Sequence, residues 1–301
     1  MRQHVVLIDG SAYIYRAFHA VPPLSRKSDG MQLNAVYGFC QILWKFLRTS
    51  QERPTHLAVI LDHPSRTFRH AMYSDYKANR PKPPDDLRLQ FPLIRDAVRA
   101  FNVALAEQDG FEADDLIATY AREACEAGAS TTIVSSDKDL MQLINNNVTM
   151  YDAMKDRRIG VGEVVEKFGV PPDKVIEVQA LIGDATDNVP GVPGIGPKIA
   201  AQLIAEYGDL ETLLACLDEI KQEKRRQALV MNAELARLSK KLVTLDDRIR
   251  LGVPLSDFSV RTPNYHKLQS FLLEMEFASL ASDVARNIQP NPLDEPIGEY
   301  A

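Results

Sequence analysis

The sequence has few cysteines and no long hydrophobic run. Only three cysteines occur in 301 residues, and Cys40, Cys125 and Cys216 are isolated, without the paired spacing of a zinc site. We interpret them as small buried hydrophobic residues in a reducing compartment. The apolar run at the N-terminus stops at Asp9, which is too short for a signal-peptide core or a membrane span. We therefore expect a cytoplasmic protein without a membrane partner.

The sequence also lacks the excess of basic residues that often marks a nucleic-acid-binding protein. Lys and Arg number 35 against 41 Asp and Glu, so the formal net charge is −6. Any contact with nucleic acid must therefore come from a local basic surface. The hydrophobic share of 45% is ordinary for a globular protein. The length of 301 residues allows one large domain with a smaller helical appendage.

Short β-type runs alternate with helical patterns through the first half of the chain. We predict strands at 4–8, 56–61, 103–106 and 131–135, and helices at 33–49, 85–100, 113–127 and 138–144. The strands are continuous apolar runs, which is typical of strands covered on both faces. The alternation predicts an α/β fold with a mainly parallel central sheet flanked by helices.

The second half of the chain has helical patterns separated by Pro and Gly, with little strand signal. We therefore divide the chain into an α/β domain at 1–160 and a helical subdomain at 161–283. Residues 284–301 are polar and contain Pro290, Pro292 and Pro296, which predicts a tail or a linker.

Carboxylates follow three of the predicted strands. Asp9 follows the first strand, Asp62 the second, and Asp137 and Asp139 the fourth. Because ligands bind outside the carboxyl ends of the strands in an open α/β sheet, we expect these side chains to converge at one edge. A single Asp after a strand is usually a turn residue or a helix cap. Three such strand ends in one domain favour a site.

Two further acidic segments extend this set. They are FEADD at 111–115, with Glu112, Asp114 and Asp115, and GDATDN at 183–188, with Asp184 and Asp187. The helix dipole also favours acids in a first turn, which can account for one or two of them. An uncompensated group of this size repels itself unless cations neutralise it. We interpret all nine carboxylates as candidate metal ligands.

The acids have no His or Cys ligands near them in the sequence. An all-oxygen set of this kind suits Mg²⁺ or Mn²⁺ rather than Zn²⁺. The chemistry that needs several carboxylates is phosphodiester hydrolysis by two metal ions, about 4 Å apart. One ion lowers the pKa of the attacking water, and the other stabilises the leaving oxygen.

A basic segment follows Asp62 directly. Residues 63–84 contain a single acid, Asp75, and five Lys and Arg residues interleaved with aromatic ones: Arg66, Arg69, Lys77, Arg80 and Lys82, with Phe68, Tyr73 and Tyr76. Basic and aromatic residues together can hold phosphates and stack on unpaired bases. The alternative is an ordinary solvated helix with some buried aromatic residues.

Residues 189–208 predict a turn-rich hairpin that opens a helix. Gly191, Gly194 and Gly196 allow tight turns and close backbone approach, and Lys198 adds a positive charge. Free N–H groups at such a helix start can bind a DNA phosphate without reading the base sequence. Many helix–turn–helix joints share part of this pattern, so the whole string carries the prediction.

Together these motifs resemble the bacterial 5′-nuclease family, which includes flap endonucleases and the 5′→3′ exonuclease domain of DNA polymerase I. The resemblance covers nearly the whole chain. It is carried, in this order, by LIDGSAYIYRAFHAVPPL (7–24), TFRH (67–70), YKANRP (76–81), FEADD (111–115), SDKDL (136–140), GDATDNVPGVPGIGPK (183–198) and EMEFASL (274–280).

The resemblance implies a PIN-like catalytic domain with a helical arch around 63–84 and a DNA-binding helical subdomain that contains a helix–three-turn–helix motif. It also implies two metal groups. The first comprises Asp9, Asp62, Glu112 and Asp114, with Asp115 close by, and the second comprises Asp137, Asp139, Asp184 and Asp187.

Roles for the basic residues come from the same resemblance. Lys77 and Arg80 would contact the scissile phosphate and act in catalysis with Asp114, and Tyr76 would stack on the terminal base. The DNA-binding set is completed by Arg16, Arg66, Arg69, Gly191, Gly194, Gly196 and Lys198. A monovalent cation such as K⁺ is expected at the 189–200 hairpin.

We therefore predict a structure-selective 5′-nuclease that acts on DNA 5′ ends, flaps and nicks in Okazaki fragment processing and DNA repair, with RNA primers as a further substrate class. We expect a monomer that is joined to a polymerase in the full-length protein. A metal nuclease acting mainly on RNA is one alternative, and a non-catalytic DNA-binding module is another. The full hairpin motif argues against the first, and the nine carboxylates argue against the second.

Overall fold

The computed structural model describes residues 3–49 and 54–286. Its centre is a six-stranded sheet in the order β3-β2-β1-β4-β5-β6. The strands are β1 (His4–Asp9), β2 (His56–Ile60), β3 (Ala104–Ala106), β4 (Ser130–Val134), β5 (Val148–Asp152) and β6 (Arg157–Ile159). The first five are parallel, and β6 pairs antiparallel with β5. The predicted α/β class with a mainly parallel sheet is confirmed.

Fourteen α-helices lie within the described ranges. The first seven are α1 (Gly10–Ala20), α2 (Asn34–Thr49), α3 (Phe68–Met72), α4 (Asp85–Arg88), α5 (Gln90–Ala100), α6 (Ala113–Glu126) and α7 (Val161–Phe168). The others are α8 (Val175–Ile182), α9 (Pro197–Tyr207), α10 (Leu210–Ala215), α11 (Glu223–Met231), α12 (Ala233–Val243), α13 (Tyr265–Glu274) and α14 (Ala278–Arg286). Short 3₁₀ turns lie at Asp139–Leu143, Pro172–Lys174, Leu217–Glu219 and Leu255–Phe258.

The sheet is buried on both faces because successive side chains of its strands enter different cores. In β1, Val5 and Leu7 join the core under α6 and the helical half of the chain. Val6 and Ile8 join the core formed with α1, α2 and α5. This arrangement explains the continuous apolar runs, since both faces of each strand must be apolar. It also places the carboxyl ends of the strands at one common edge.

Helices α13 and α14, which the sequence division at 161–283 assigned to the helical subdomain, contribute to the core on the α2 and α5 side of the sheet. Leu268, Leu272 and Phe277 lie in the same core as α2 and α5. Trp44 Nε1 donates to Asp283 Oδ2 at 2.7 Å, which fixes α14 against α2. Helix α14 continues to Arg286, three residues into the predicted tail, and residues 287–301 lie outside the described ranges.

The segment expected to form the arch, 63–84, contains the short helix α3 and a series of turns across 74–80. These turns lie against the loop that follows α8, as hydrogen bonds from Lys77 N to Asp187 O and from Asn79 Nδ2 to Ala185 O show. Across the part of the chain that the structure describes, no helix has the length and apolar character needed to cross a membrane.

Helices α8 and α9 are joined by residues 183–196, and the backbone of this segment crosses itself at Gly183 and Gly191. Both glycines have positive φ, +66° and +62°. A Cβ on Gly183 would lie 2.4 Å from Val189 O, and one on Gly191 would lie 2.5 Å from Gly183 N. The crossing therefore needs two glycines, because backbone atoms cannot move aside as a side chain could.

We expect Gly183→Ala to lower the free energy of unfolding by several times more than Gly194→Ala. Both positions have positive φ, but a Cβ on Gly194 meets nothing within 4 Å. The control therefore carries only the backbone penalty, about 1 kcal/mol, whereas Gly183→Ala adds a clash with backbone. Urea unfolding followed by circular dichroism measures both, and equal losses would show that the crossing is not tightly packed.

Candidate active site

Asp9 lies where β1 meets α1. Its carboxylate accepts one hydrogen bond from α1 and one from a residue that follows β4. Its Oδ1 accepts from Ala12 N at 3.0 Å and caps α1. Its Oδ2 accepts from the hydroxyl of Ser135 at 2.7 Å, just beyond β4. The side chain is buried, with 3% of the residue exposed. The adjacent strands β1 and β4 thus fix this carboxylate at the carboxyl edge of the sheet.

Asp62, which follows β2, is tied to the start of α6. Its Oδ1 accepts from Ala113 N at 2.8 Å, and its N–H donates to Ser11 Oγ at 2.8 Å. This bond brings the end of β2 to the first turn of α6, which carries Glu112 as its N-cap and Asp114. The first two strand ends and the FEADD segment therefore meet, as the sequence predicted.

Asp137 and Asp139 lie in the turn after β4. Asp137 N donates to Ser135 Oγ at 3.0 Å, and Asp139 N donates to Asp137 Oδ1 at 2.9 Å. Gln179 of α8 donates its side-chain amide to Asp139 Oδ1 at 2.5 Å. Lys138 extends to Asp184, with which it forms an ion pair, and lies 3.5 Å from Asp139 Oδ1.

Glu112 and Asp187 both contact Tyr76 and Lys77 of the basic segment, and Asp187 also contacts Arg80. Tyr76 Oη donates to Glu112 Oε2 at 3.0 Å and lies 3.4 Å from Asp187 Oδ2. Lys77 Nζ is 2.7 Å from Glu112 Oε1 and 3.7 Å from Asp187 Oδ2. Arg80 forms an ion pair with Asp187. Asp187, which the resemblance grouped with Asp139, therefore lies beside Glu112 in this structure.

Burial and the crowding of acids raise several carboxyl pKa values. Burial, opposed by the Ser135 and Ala12 hydrogen bonds and reinforced by neighbouring acids, raises the pKa of Asp9 to about 7. Burial and the charge of Asp137 raise the pKa of Asp139 to about 6. Burial and four neighbouring acids raise the pKa of Asp114 well above its ordinary value. Burial and neighbouring negative charge thus both disfavour the ionised form of these carboxylates.

Asp115 and Arg69 form a buried ion pair, which corrects two assignments. Arg69 Nη1 and Nη2 each donate to the Asp115 carboxylate at 2.7 Å, and the two residues are 1% and 0% exposed. Asp115 also accepts from Glu112 N and Asp246 N. Because its oxygens are already occupied, Asp115 is not placed to be a direct metal ligand. Arg69 is equally unable to reach DNA.

Tyr76 and Gly191 also differ from their predicted roles. Tyr76 is only 4% exposed and its hydroxyl is bonded to Glu112, so its ring is not presented for stacking on a terminal base. The N–H of Gly191 donates to Ser239 Oγ at 2.9 Å, which removes it from phosphate binding. Burial of a ring and use of an amide depend on tertiary contacts that the local sequence does not specify.

The other predicted DNA-binding residues lie at the surface. Arg66, Gly194 and Lys198 are exposed, and Gly196 caps α9 with Pro197 in the first helical turn. Arg16 is half-exposed and lies 3.5 Å from Asp152 Oδ1. This set divides between the edge of the sheet and the hairpin.

A metal ion would have to enter among side chains that already pair with one another. Within residues 3–49 and 54–286, no three His, Cys, Asp or Glu side chains already form an arrangement that could hold a metal ion. Lys77, Arg80 and Lys138 instead neutralise part of the acidic group. The donor set nevertheless fits a hard divalent cation, because it consists of carboxylate oxygens and several of them are short of positive charge.

Three residues of the site were not singled out from the sequence. Lys138 lies between two predicted ligands in SDKDL, so its position in that string was the available signal. Ser135 precedes the same string. Gln179 lies within the otherwise mostly apolar helix α8, and a polar amide among apolar residues was the available signal.

Two family models match the chain in succession. The first, described as the 5′-3′ exonuclease N-terminal resolvase-like domain, matches residues 4–169. The second, described as the 5′-3′ exonuclease C-terminal SAM fold, matches residues 170–266. The change from one to the other falls just after α7, where the α/β part gives way to the helical part.

Curated relatives and solved structures agree with these matches. DNA polymerase I of Rhizobium leguminosarum is 56% identical over 287 residues, which are 94% of this chain and 28% of that protein. The chain thus spans under a third of that relative's length. A 5′-3′ exonuclease of Aquifex aeolicus is 39% identical over 92% of this chain and 94% of its own length.

Two structures have the same fold at low sequence identity. T5 5′-exonuclease with bound divalent metal ions (zinc) gives a TM-score of 0.69 at 19% identity, covering 94% of this chain and 99% of its own. The catalytic core of Rad2 in complex with DNA substrate gives 0.63 at 15% identity, covering 93% and 91%.

We expect Arg69→Met to lower the free energy of unfolding by about 3–5 kcal/mol, because it leaves Asp115 buried without its partner. The guanidinium also donates to Leu242 O and Thr244 O, so these carbonyls lose their donor as well. Arg237→Met is the control, since its ion pairs with Glu211 and Glu234 are exposed and it should change stability much less. Urea unfolding of both variants measures the difference, and similar losses would contradict a special role for the buried pair.

The raised pKa of Asp9 predicts how stability depends on pH in a chelating buffer. The folded protein retains a proton on this group that the unfolded chain releases above its ordinary pKa of 3.8. The free energy of unfolding should therefore fall as pH rises from about 4 to about 7 and level off above that. Asp9→Asn should make this fall shallower, by on the order of 2–4 kcal/mol over the interval. Chemical unfolding at several pH values tests this, and parallel pH profiles of the two proteins would show that Asp9 titrates normally.

Proposed function

This chain belongs to the 5′-3′ exonuclease family, and we propose that it is a structure-selective, divalent-metal-dependent 5′-nuclease that cuts DNA at 5′ flaps, nicks and ends. The observation that carries the proposal is the convergence of carboxylates from several strand ends with Lys77 and Arg80 at one edge of the sheet. Carboxylates alone repel a phosphodiester, and cationic side chains beside them allow one to approach.

Lys77 and Arg80 are the groups that meet the phosphate. Burial lowers the pKa of Lys77, but the charges of Glu112 and Asp187 outweigh it, so the pKa is raised and the ammonium stays charged. The guanidinium of Arg80 is charged throughout. A phosphodiester entering the cleft can exchange with Glu112 and Asp187 as the partner of these cations. The two side chains then orient the scissile phosphate and offset charge on its oxygens.

The carboxylates that remain available would hold the metal ions. They are Asp9, Asp62, Glu112, Asp114, Asp137, Asp139, Asp184 and Asp187, without Asp115. Two Mg²⁺ or Mn²⁺ ions bound there would lower the pKa of an attacking water and stabilise the leaving oxygen. Asp62 and Glu112 are held by the first turn of α6, and Asp139 is oriented by Gln179.

The hairpin before α9 would grip duplex DNA. Gly194 and Gly196 bring backbone close to the surface at the start of α9, and Lys198 adds a charge there. Such contacts hold phosphates and give no base specificity, which suits an enzyme that recognises DNA shape. Arg16 and Arg66 would extend the contact toward the sheet edge. A monovalent cation such as K⁺ at 189–200 belongs to the same proposal.

The relatives named DNA polymerase I suggest the biological setting. A nuclease of this kind would remove 5′ flaps and RNA primers while a polymerase extends the adjacent strand, in Okazaki fragment processing and DNA repair. We propose that it acts as a monomer on one DNA junction at a time.

A cleavage assay on 5′-flapped DNA tests the function. We expect cutting near the flap base in Mg²⁺ and none in excess chelator. Asp114→Ala should reduce the rate by at least about 1,000-fold because it removes a carboxylate from the centre of the acidic group. DNA binding, measured by fluorescence anisotropy, should survive. Asp218→Ala, an exposed acid of a surface turn, is the matched control and should cut at the wild-type rate.

The other outcomes distinguish the alternatives. Faster cutting of single-stranded RNA than of flapped DNA would favour a ribonuclease. Tight binding of flapped DNA without any cutting would favour a DNA-binding module. Activity that persists in chelator would reject the metal mechanism.

A further inference from the structure

The turns that carry Lys77 and Arg80 are hydrogen-bonded to a loop of the helical part of the chain. We call residues 75–80 the lysine turn and residues 184–189 the aspartate loop. Three hydrogen bonds to backbone carbonyl oxygens join them: Lys77 N to Asp187 O at 2.9 Å, Asn79 Nδ2 to Ala185 O at 2.6 Å, and Asn188 Nδ2 to Asp75 O at 2.7 Å. The side chains of Tyr76 and Arg80 also donate to the Asp187 carboxylate. The position of the two cations therefore depends on a loop more than one hundred residues away in sequence.

The aspartate loop is itself held firmly. Asp184 and Val189 exchange two backbone hydrogen bonds, of 2.9 and 2.8 Å. Thr186 N donates to Asp184 Oδ1 at 2.7 Å, which closes the turn. Gly183 and Gly191 flank the loop on either side, and their backbones are in close contact. It can therefore act as the fixed partner in its contact with the lysine turn.

The lysine turn, by contrast, contains an unfavourable backbone conformation. Lys77 has φ +56°, in the left-handed region that a long side chain rarely adopts. Such a conformation persists only where the surroundings impose it. Asn188 donates to Asp75 O, which also accepts from Ala78 N, and so it supports the carbonyl at the start of this turn.

Asn188 is suited to this position by its own backbone. It has φ +57°, and Asn tolerates the left-handed region better than other residues with a Cβ. Its neighbour Asp187 faces Lys77 and Arg80 from the same loop. The side chain of Asn188 thus reaches the lysine turn from a rigid base, next to the carboxylate that the cations contact.

We infer that Asn188 is a positioning residue, which holds the lysine turn in the conformation that places Lys77 and Arg80 beside the scissile phosphate. The inference rests on the proposed nuclease function. Asn188 touches neither the phosphate nor the acids in this role. Its effect reaches the reaction through the backbone of residues 75–77.

Asn188→Gly is the variant that tests this role, because glycine keeps the positive φ and removes only the side-chain amide. With flapped DNA and Mg²⁺, we expect kcat to fall about fivefold to tenfold while KM changes little. The variant loses one hydrogen bond, and the side chains of Lys77 and Arg80 are then less well oriented. The matched control is Asn102→Gly. Asn102 also has positive φ, +55°, and donates to a backbone carbonyl, that of Thr262, but it lies outside the site. It should keep the wild-type kcat.

The Asn188→Gly substitution in a variant that already lacks Lys77 and Arg80 distinguishes a positioning role from a general loss of stability. In Lys77→Ala/Arg80→Ala protein, Asn188→Gly should lower kcat no further, because the groups that it positions are absent. Amide hydrogen exchange gives a readout without activity. Exchange of residues 75–80 should speed up in Asn188→Gly, and exchange elsewhere should stay as in the wild type.

Either of two results would overturn the inference: a wild-type kcat for Asn188→Gly, or an equal fall in kcat with and without Lys77 and Arg80. Unchanged exchange at residues 75–80 would overturn the structural contact itself. If the wild-type protein failed to cut flapped DNA, the proposed function would fall, and hydrogen exchange would still decide whether Asn188 holds the turn.

Discussion

The buried ion pair between Arg69 and Asp115 is the interaction on which the rest of the site depends. Three distant parts of the chain meet through this pair of side chains: the basic segment, the first turn of α6, and residues 242–246 at the end of α12. A buried pair of charges is costly to desolvate and is stable only when its other hydrogen bonds are satisfied. Here the backbone supplies them. The same carboxylate accepts from Glu112 N, so the pair also fixes the backbone at the edge of the acidic group.

The acidic group bears on how a chain of net negative charge would bind a polyanion, as the proposed function requires. Its carboxylates are partly neutralised from within by Lys77, Arg80 and Lys138, which come from two different segments. Burial, together with the negative charge of neighbouring acids, still raises the carboxyl pKa values of Asp9 and Asp139. The ion pairs offset enough of the negative charge for the site to fold, and the site still carries more negative than positive charge. Cations and phosphates can therefore enter it by exchange, without requiring a basic protein as a whole.

Much of the fold and part of the site could be predicted from the sequence for physical reasons. Strands buried on both faces are continuous apolar runs, and acids that follow parallel strands must meet at one edge. Strands β5 and β6 were not predicted from the sequence. Polar residues flank both strands, and β6 pairs antiparallel at the edge of the sheet. Charge patterns could not tell that Arg69 and Asp115 would face each other, since their partners lie far away in sequence. The hydrogen bond between Trp44 and Asp283, which holds α14 against α2, could not be predicted for the same reason.

The crossing of Gly183 and Gly191 has a consequence for where a strand is cut. It joins the aspartate loop and the hairpin into one rigid piece, with Asp187 at one end and the start of α9 near Gly196 at the other. In the proposed function, a duplex held by its phosphates at the hairpin would therefore lie at a fixed distance from the acids. The number of nucleotides between the bound phosphates and the cut would then be set by this short stretch of backbone. Base sequence would have no part in setting it.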